Sequence, residues 1–100
     1  MSQSFDRLRD AEHLLVEAEA DPNKAAEAAR AALRSLLDAW SVQPEGTTVA
    51  ALLDQAAQTD ESLHDFRPDA VVLDGLEPQP DAAKRAKIFV DAARARLANI

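Results

Sequence analysis

Apolar residues recur at three- and four-residue intervals along most of this chain, and prolines and glycines interrupt the rhythm at a few points. Phe5, Leu8, Ala11, Leu14, Leu15 and Ala18 form one helical stripe, with Arg7, Arg9, Asp10, Glu17 and Glu19 mostly on the other side. Ser4 suits the N-cap of this helix and Asp6 the positive end of its dipole. Pro22 disfavours helical geometry at Asp21 and so ends the helix there. The same Asp21-Pro22 pair starts the next one, because Asp caps and Pro fits the first helical position. That second helix carries Ala25, Ala29, Leu33, Leu36, Leu37 and Trp40 and is predicted to stop near Pro44-Glu45-Gly46. Its first half is nearly all alanine, which allows a neighbour's backbone to approach closely.

Thr47 or Thr48 can cap a third helix from Val49 to about Gln58, with Leu52, Leu53 and Ala56 on its apolar side. Asp60 can cap a short turn, Glu61 to Phe66, which Pro68 is expected to stop. The run Asp69-Ala70-Val71-Val72-Leu73-Asp74-Gly75 has β-branched residues suited to a strand, but a lone strand has no partner here. It reads instead as a short helix ending at Gly75. Leu76 to Pro80 is a proline-flanked loop. The last helix, from about Asp81, aligns Ala82, Ala86, Phe89, Ala93 and Leu97, with Val90 and Ile100 near the edge. No internal repeat and no domain-scale linker divides the chain, so residues 1–100 read as a single all-α domain.

Composition agrees with that reading. Alanine occurs 22 times and leucine 12 times, which favours helix throughout and leaves few bulky side chains for a core. With zero cysteines there is no disulfide scaffold, cysteine–zinc knuckle or thiol nucleophile. No apolar run is long enough to span a membrane, and the N-terminus lacks the basic start and apolar stretch of a signal peptide, so a cytoplasmic location is expected.

The net charge of −7 is unevenly distributed. Residues 1–80 hold six basic and sixteen acidic side chains, net −10, whereas residues 81–100 hold five basic and two acidic ones, net +3. Lys84, Arg85 and Lys87 are therefore candidates to meet a phosphate or an acidic partner, against the plain reading of a solvated helix face drawn to its own acidic body. Arg94 and Arg96 suit a helix C-terminus. Overall acidity argues against duplex DNA binding, which needs clustered positive charge. Trp40, beside the proline–glycine turn, is a candidate for base stacking or a dimer interface, or for packing at the bundle's end.

The remaining chemistry is sparse. His13, flanked by Arg9 and Glu17 at four-residue spacing, and His64, near Asp60 and Asp65, read as surface histidines. No HExxH or paired-His spacing points to a metal, and no cofactor motif or glycine-rich phosphate loop is present. No nucleophile-elbow glycines frame a serine. Ser62 follows Asp60-Glu61, a faint likeness to the prosthetic-group serine of acyl carrier proteins, but there the Asp directly precedes the Ser and a long helix follows.

The layout as a whole resembles the HEPN domain family. Ala11-Glu12-His13-Leu14-Leu15 sits in the first helix, and an alanine-rich second helix spans Ala25 to Leu37. Ala51-Leu52-Leu53 lies in a shorter third helix, a broken segment follows, and the final helix is rich in alanine and basic residues. The resemblance covers roughly residues 5–98. It implies an up-and-down bundle of four to five helices that forms a homodimer. It further implies binding of a nucleotide or a nucleotidyltransferase-type partner, as in toxin–antitoxin-like two-gene modules. Ribonuclease members carry Arg, four to six residues, then His on a late helix. Arg7 and His13 match that spacing but lie in the first helix, and Arg67 is followed by Pro68 with no later histidine. The resemblance thus implies a member without catalytic residues, binding through Lys84, Arg85, Lys87 and Trp40. A helical adaptor with no nucleotide, and a ribonuclease using Arg7 and His13, are the competing expectations.

Overall fold

The computed structural model describes residues 3–75 and 79–98, with side chains from Asp6 onward. The expectations for Phe5, Leu76 and Ile100 as packing or loop residues fall outside the described side chains. Helices α1 (Gln3–Ala18) and α2 (Asn23–Ala39) form an antiparallel hairpin, and α5 (Ala82–Leu97) packs across both. Between them in sequence, α3 (Val49–Ala57), a 3-10 helix (Glu61–Phe66) and α4 (Arg67–Leu73) make a short-helix unit against α2 and α5. No strand occurs among the described residues. The chain is all-helical, as expected. Three long helices make the bundle, while the short ones cover one side of it.

Helix α2 is central because it buries residues toward α1, α3 and α5 at once: Ala25, Ala28, Ala29, Ala32, Leu33, Leu36 and Leu37 are all buried. Thirteen of the twenty-five buried apolar residues are alanines, so the helices approach closely and the bulk comes from a few side chains. Phe89, Leu33, Leu36, Leu37, Leu52, Leu53 and Leu63 are the large fully buried ones, each worth roughly 1.5–3 kcal/mol of burial. Phe89 also meets Phe66 edge-on at 6.1 Å, which ties the 3-10 helix to α5. Ser35 is the one buried polar side chain among the described residues, and its hydroxyl donates to the Ala32 carbonyl within its own helix.

Several boundaries differ from the sequence expectation. Ser4 lies inside α1 and does not cap it, since helix is already present at Gln3. The N-cap of α2 is Pro22, without a side-chain cap, and Asp21 stands one residue ahead of it, its Oδ1 accepting from the Asn23 backbone N–H at 3.1 Å. Helix α2 ends at Ala39, before Pro44. Val42 N–H donates to the Leu37 carbonyl at 2.8 Å and Ser41 N–H to the Asp38 carbonyl at 3.1 Å, closing a Schellman turn. Ser41 takes the left-handed position there, at φ 58°, with no glycine to supply it. Pro68 lies in the first turn of α4, which begins at Arg67, where it was expected only to stop the preceding turn; its missing N–H is harmless there. The segment after it is helical as read, but Gly75 has no positive φ; Asp74 is the C-cap.

One local and one tertiary cap hold the start of α3. Thr48 Oγ1 accepts from Ala51 N–H, as expected for an N-cap. In addition Asp74 reaches back to the same terminus, Oδ1 accepting from Val49 N–H at 2.8 Å and Oδ2 from Ala50 N–H at 2.9 Å. Gln55 pins the loop before α3 with both ends of its amide. Its Nε2 donates to the Gln43 carbonyl at 2.6 Å and its Oε1 accepts from Glu45 N–H at 3.1 Å. Gly46 is needed beneath that clamp, where a Cβ would come within 2.5 Å of Ala51 Cβ.

Candidate functional site

The basic residues of α5 were the leading candidates, and most of them are already engaged. Arg85 Nη1 reaches Asp69 at 2.7 Å and its Nε reaches Asp81 at 3.0 Å. Lys87 meets Asp91 at 2.8 Å. Arg94 bridges Glu12 and Asp91 at 2.9 and 3.2 Å. Arg96 holds Asp60 at 2.6 Å and donates to Ser62 Oγ at 2.9 Å. Hydrogen bonding to Asp81 and then Asp69 raises the Arg85 guanidinium from its ordinary value, and Glu12 does the same for Arg94. Ser62, and after it Arg96, pulls the Asp60 carboxyl below its usual range. Lys84 is exposed and makes no ion pair among the described residues. Of the three predicted cations, then, one is free.

Trp40 lies away from them. The Arg94–Glu12 pair, and the groove that Lys84 and Lys87 share with Leu15 and Val16, set α5 antiparallel to α1 and hence parallel to α2. Lys84 therefore sits at the α2 N-terminal end and Trp40 at its C-terminal end, roughly 25 Å apart along a seventeen-residue helix. Trp40 is half-buried against the core, so it packs the bundle's end and does not join the lysines in one site.

The Lys84 end carries an apolar surface that the sequence stripes did not reveal. Among the described residues Val16, 69% exposed, and Val71, 55% exposed, are the exposed large hydrophobic ones. One groove runs between α1 and α5 past Leu15, Val16, Glu19, Ala83, Lys84 and Lys87. A second lies between α4 and α5, past Val71, Val72, Gly75, Gln79 and Arg85. Pro80 and Asp81 line both, so the two grooves adjoin across the start of α5.

The opposite end has a different character. Arg7 of α1 and Arg34 of α2 line a cavity of about 390 Å³ with Asp38, Ser41, Val42, Gln43 and Pro44. Arg7, Arg30 and Arg34 form no ion pair or side-chain hydrogen bond among the described residues. Arg30 lies one turn from Arg34 on the same helix. His13 lines none of these cavities, and six residues of helix set it about 120° around and about 9 Å along α1 from Arg7. The two residues of the formal ribonuclease spacing are thus not brought together. His13 and His64 are both exposed, and no metal-binding group of histidine and acidic side chains occurs among the described residues. No helix among them is long and apolar enough to cross a membrane. The chain matches no family model, no curated protein and no solved structure.

Proposed function

We propose that this protein is a helical interaction module that pairs with a second copy of itself through the two adjoining grooves at the start of α5. The observation that carries this is the exposed apolar surface around Val16 and Val71, bordered by charges of both signs. Around that surface Lys84, Arg85 and Lys87 stand among Glu19, Asp69, Asp81 and Asp91, so charges of the two signs nearly balance in a chain of −7. Two copies of a chain of −7 repel one another on average, and a surface where the charges nearly balance lowers that repulsion. The groove is also self-complementary. Glu19 edges it on α1 and unpaired Lys84 on α5, so a twofold axis brings Glu19 of each copy to Lys84 of the other. An interface of ordinary size buries about 800 Å² per partner, which calls for both grooves together.

The HEPN resemblance favours a nucleotide or a nucleotidyltransferase-type partner at the same end, and free Lys84 suits it. That reading requires Arg85 to leave Asp69 and Asp81, and Lys87 to leave Asp91. Sedimentation of the purified chain at micromolar concentration tests the self-pairing. A dimer is expected, converted to monomer by Val16→Asp. Glu19→Lys and Lys84→Glu should each weaken it, and the two together should restore it. A monomeric wild type, or a dimer indifferent to Val16→Asp, overturns the proposal.

A further inference from the structure

We infer that the cavity between the N-terminal half of α1 and the C-terminal end of α2 binds a phosphate-bearing small molecule, held by Arg7 and Arg34. Lys24, Arg67, Arg85, Lys87, Arg94 and Arg96 each have a carboxylate partner, in a protein with eighteen acidic residues to supply one. Among the described residues Arg7, Arg9, Arg30, Arg34 and Lys84 have none, and of these Arg7 and Arg34 come from different helices to the wall of one cavity. Arg34 is half-buried, so its guanidinium has given up part of its water without gaining a counter-charge. Arg30, one turn away and also unpaired, adds to the local positive potential. Asp38 is the one acid on the cavity wall, and it has an interaction of its own.

Guanidinium groups match phosphate oxygens with two parallel N–H donors, and a dianion balances two of them. Ser41 and Gln43 bring further polar side chains to the rim, and Ser41 is held there in a left-handed conformation that a serine adopts only at a cost. The cavity, about 390 Å³ and open to solvent on one side, has room for a group attached to the phosphate.

Inorganic phosphate is the probe. The full chain is titrated at constant ionic strength, with thermal melting and the NMR signals of the arginine side-chain Nε–H groups as readouts. Phosphate should raise the melting temperature saturably, with the largest shifts at Arg7 and Arg34. Arg7→Gln and Arg34→Gln should each raise the apparent Kd by about tenfold, while Lys24→Gln, at the other end of α2, leaves it unchanged. If either arginine variant is poorly folded, the NMR map of the wild type decides alone. Equal saturation in the arginine variants, shifts centred elsewhere, or an equal response to malonate overturns the assignment.

Discussion

Replacing Asp74 with alanine should cost this fold more than any other single surface substitution. Asp74 closes α4 with its backbone, its N–H donating to the Ala70 carbonyl, and opens α3 with its side chain. Both carboxylate oxygens are used, on the first two N–H groups of α3, and the site is half-buried. An ordinary N-cap is worth about 1 kcal/mol, and hydrogen bonds to a charged acceptor about 1.5–3 kcal/mol each. The loss is smaller than that sum, because water can reach one of the freed N–H groups and Thr48 still serves the Ala51 N–H. A destabilisation of about 2–3 kcal/mol results, or about 10–20 °C in melting temperature for a domain of this size. Asp74→Asn keeps the shape and one acceptor, and should lose about half as much. Urea and thermal unfolding followed by circular dichroism measure both, read as two-state transitions. A cost for Asp74→Ala below about 0.5 kcal/mol would falsify the claim that the α4–α3 contact stabilises the short-helix unit, since that is the range of an ordinary surface change.

Three further outcomes follow from particular contacts. Gly46→Ala should destabilise by about 1–2 kcal/mol in the same denaturation assay, because its Cβ meets the Cβ of Ala51, which is fixed on a helix and cannot rotate away. Ser41→Gly should stabilise, removing about 1 kcal/mol of left-handed strain against ~0.5 kcal/mol of added chain entropy, so melting rises by roughly 2–4 °C. Asp60 has a depressed folded-state pKa, through Ser62 and then Arg96, so its contribution is complete above the ordinary carboxylate value of 3.8 and fades as pH falls through the lower folded value. Asp60→Asn should therefore narrow its stability gap to wild type in acid melts; a gap that stays constant from neutral pH to the acid limit contradicts the linkage.

The helices were legible because local signals specify them. Thr48 and Asp60 cap where their sequence positions imply, each accepting from an N–H two or three residues on, and Asp21 accepts from Asn23 N–H just ahead of α2. The α5 stripe of Ala82, Ala86, Phe89, Ala93 and Leu97 is buried as the periodicity requires. Signals that act across the fold were not legible. Nothing near Asp74 in sequence indicates that it caps a helix begun twenty-five residues earlier, or near Gln55 that it clamps a loop twelve residues back. Pro68 was ambiguous for a local reason, since proline both ends one helix and opens the next, and only the packing of Ala70 and Leu73 decides.

Charge misled in a more instructive way. Summing by segment placed the positive surface on α5, but a sum ignores which charges meet. The +3 of residues 81–100 is delivered to carboxylates of other segments, at Glu12, Asp60 and Asp69, as well as to Asp81 and Asp91 within its own. Part of this was readable, since Asp81 stands four residues before Arg85 and Asp91 four after Lys87. The arginines left over lie on α1 and α2, inside the stretch whose sum is −10. The two ends of the bundle therefore offer different chemistry, an apolar surface near neutral charge at the start of α5 and an unpaired arginine pair beside Ser41. Because α1 runs between them, a ligand at the arginine end and a second copy at the valine end can be held at the same time. Loss of one need not abolish the other, so Val16→Asp should leave phosphate binding intact.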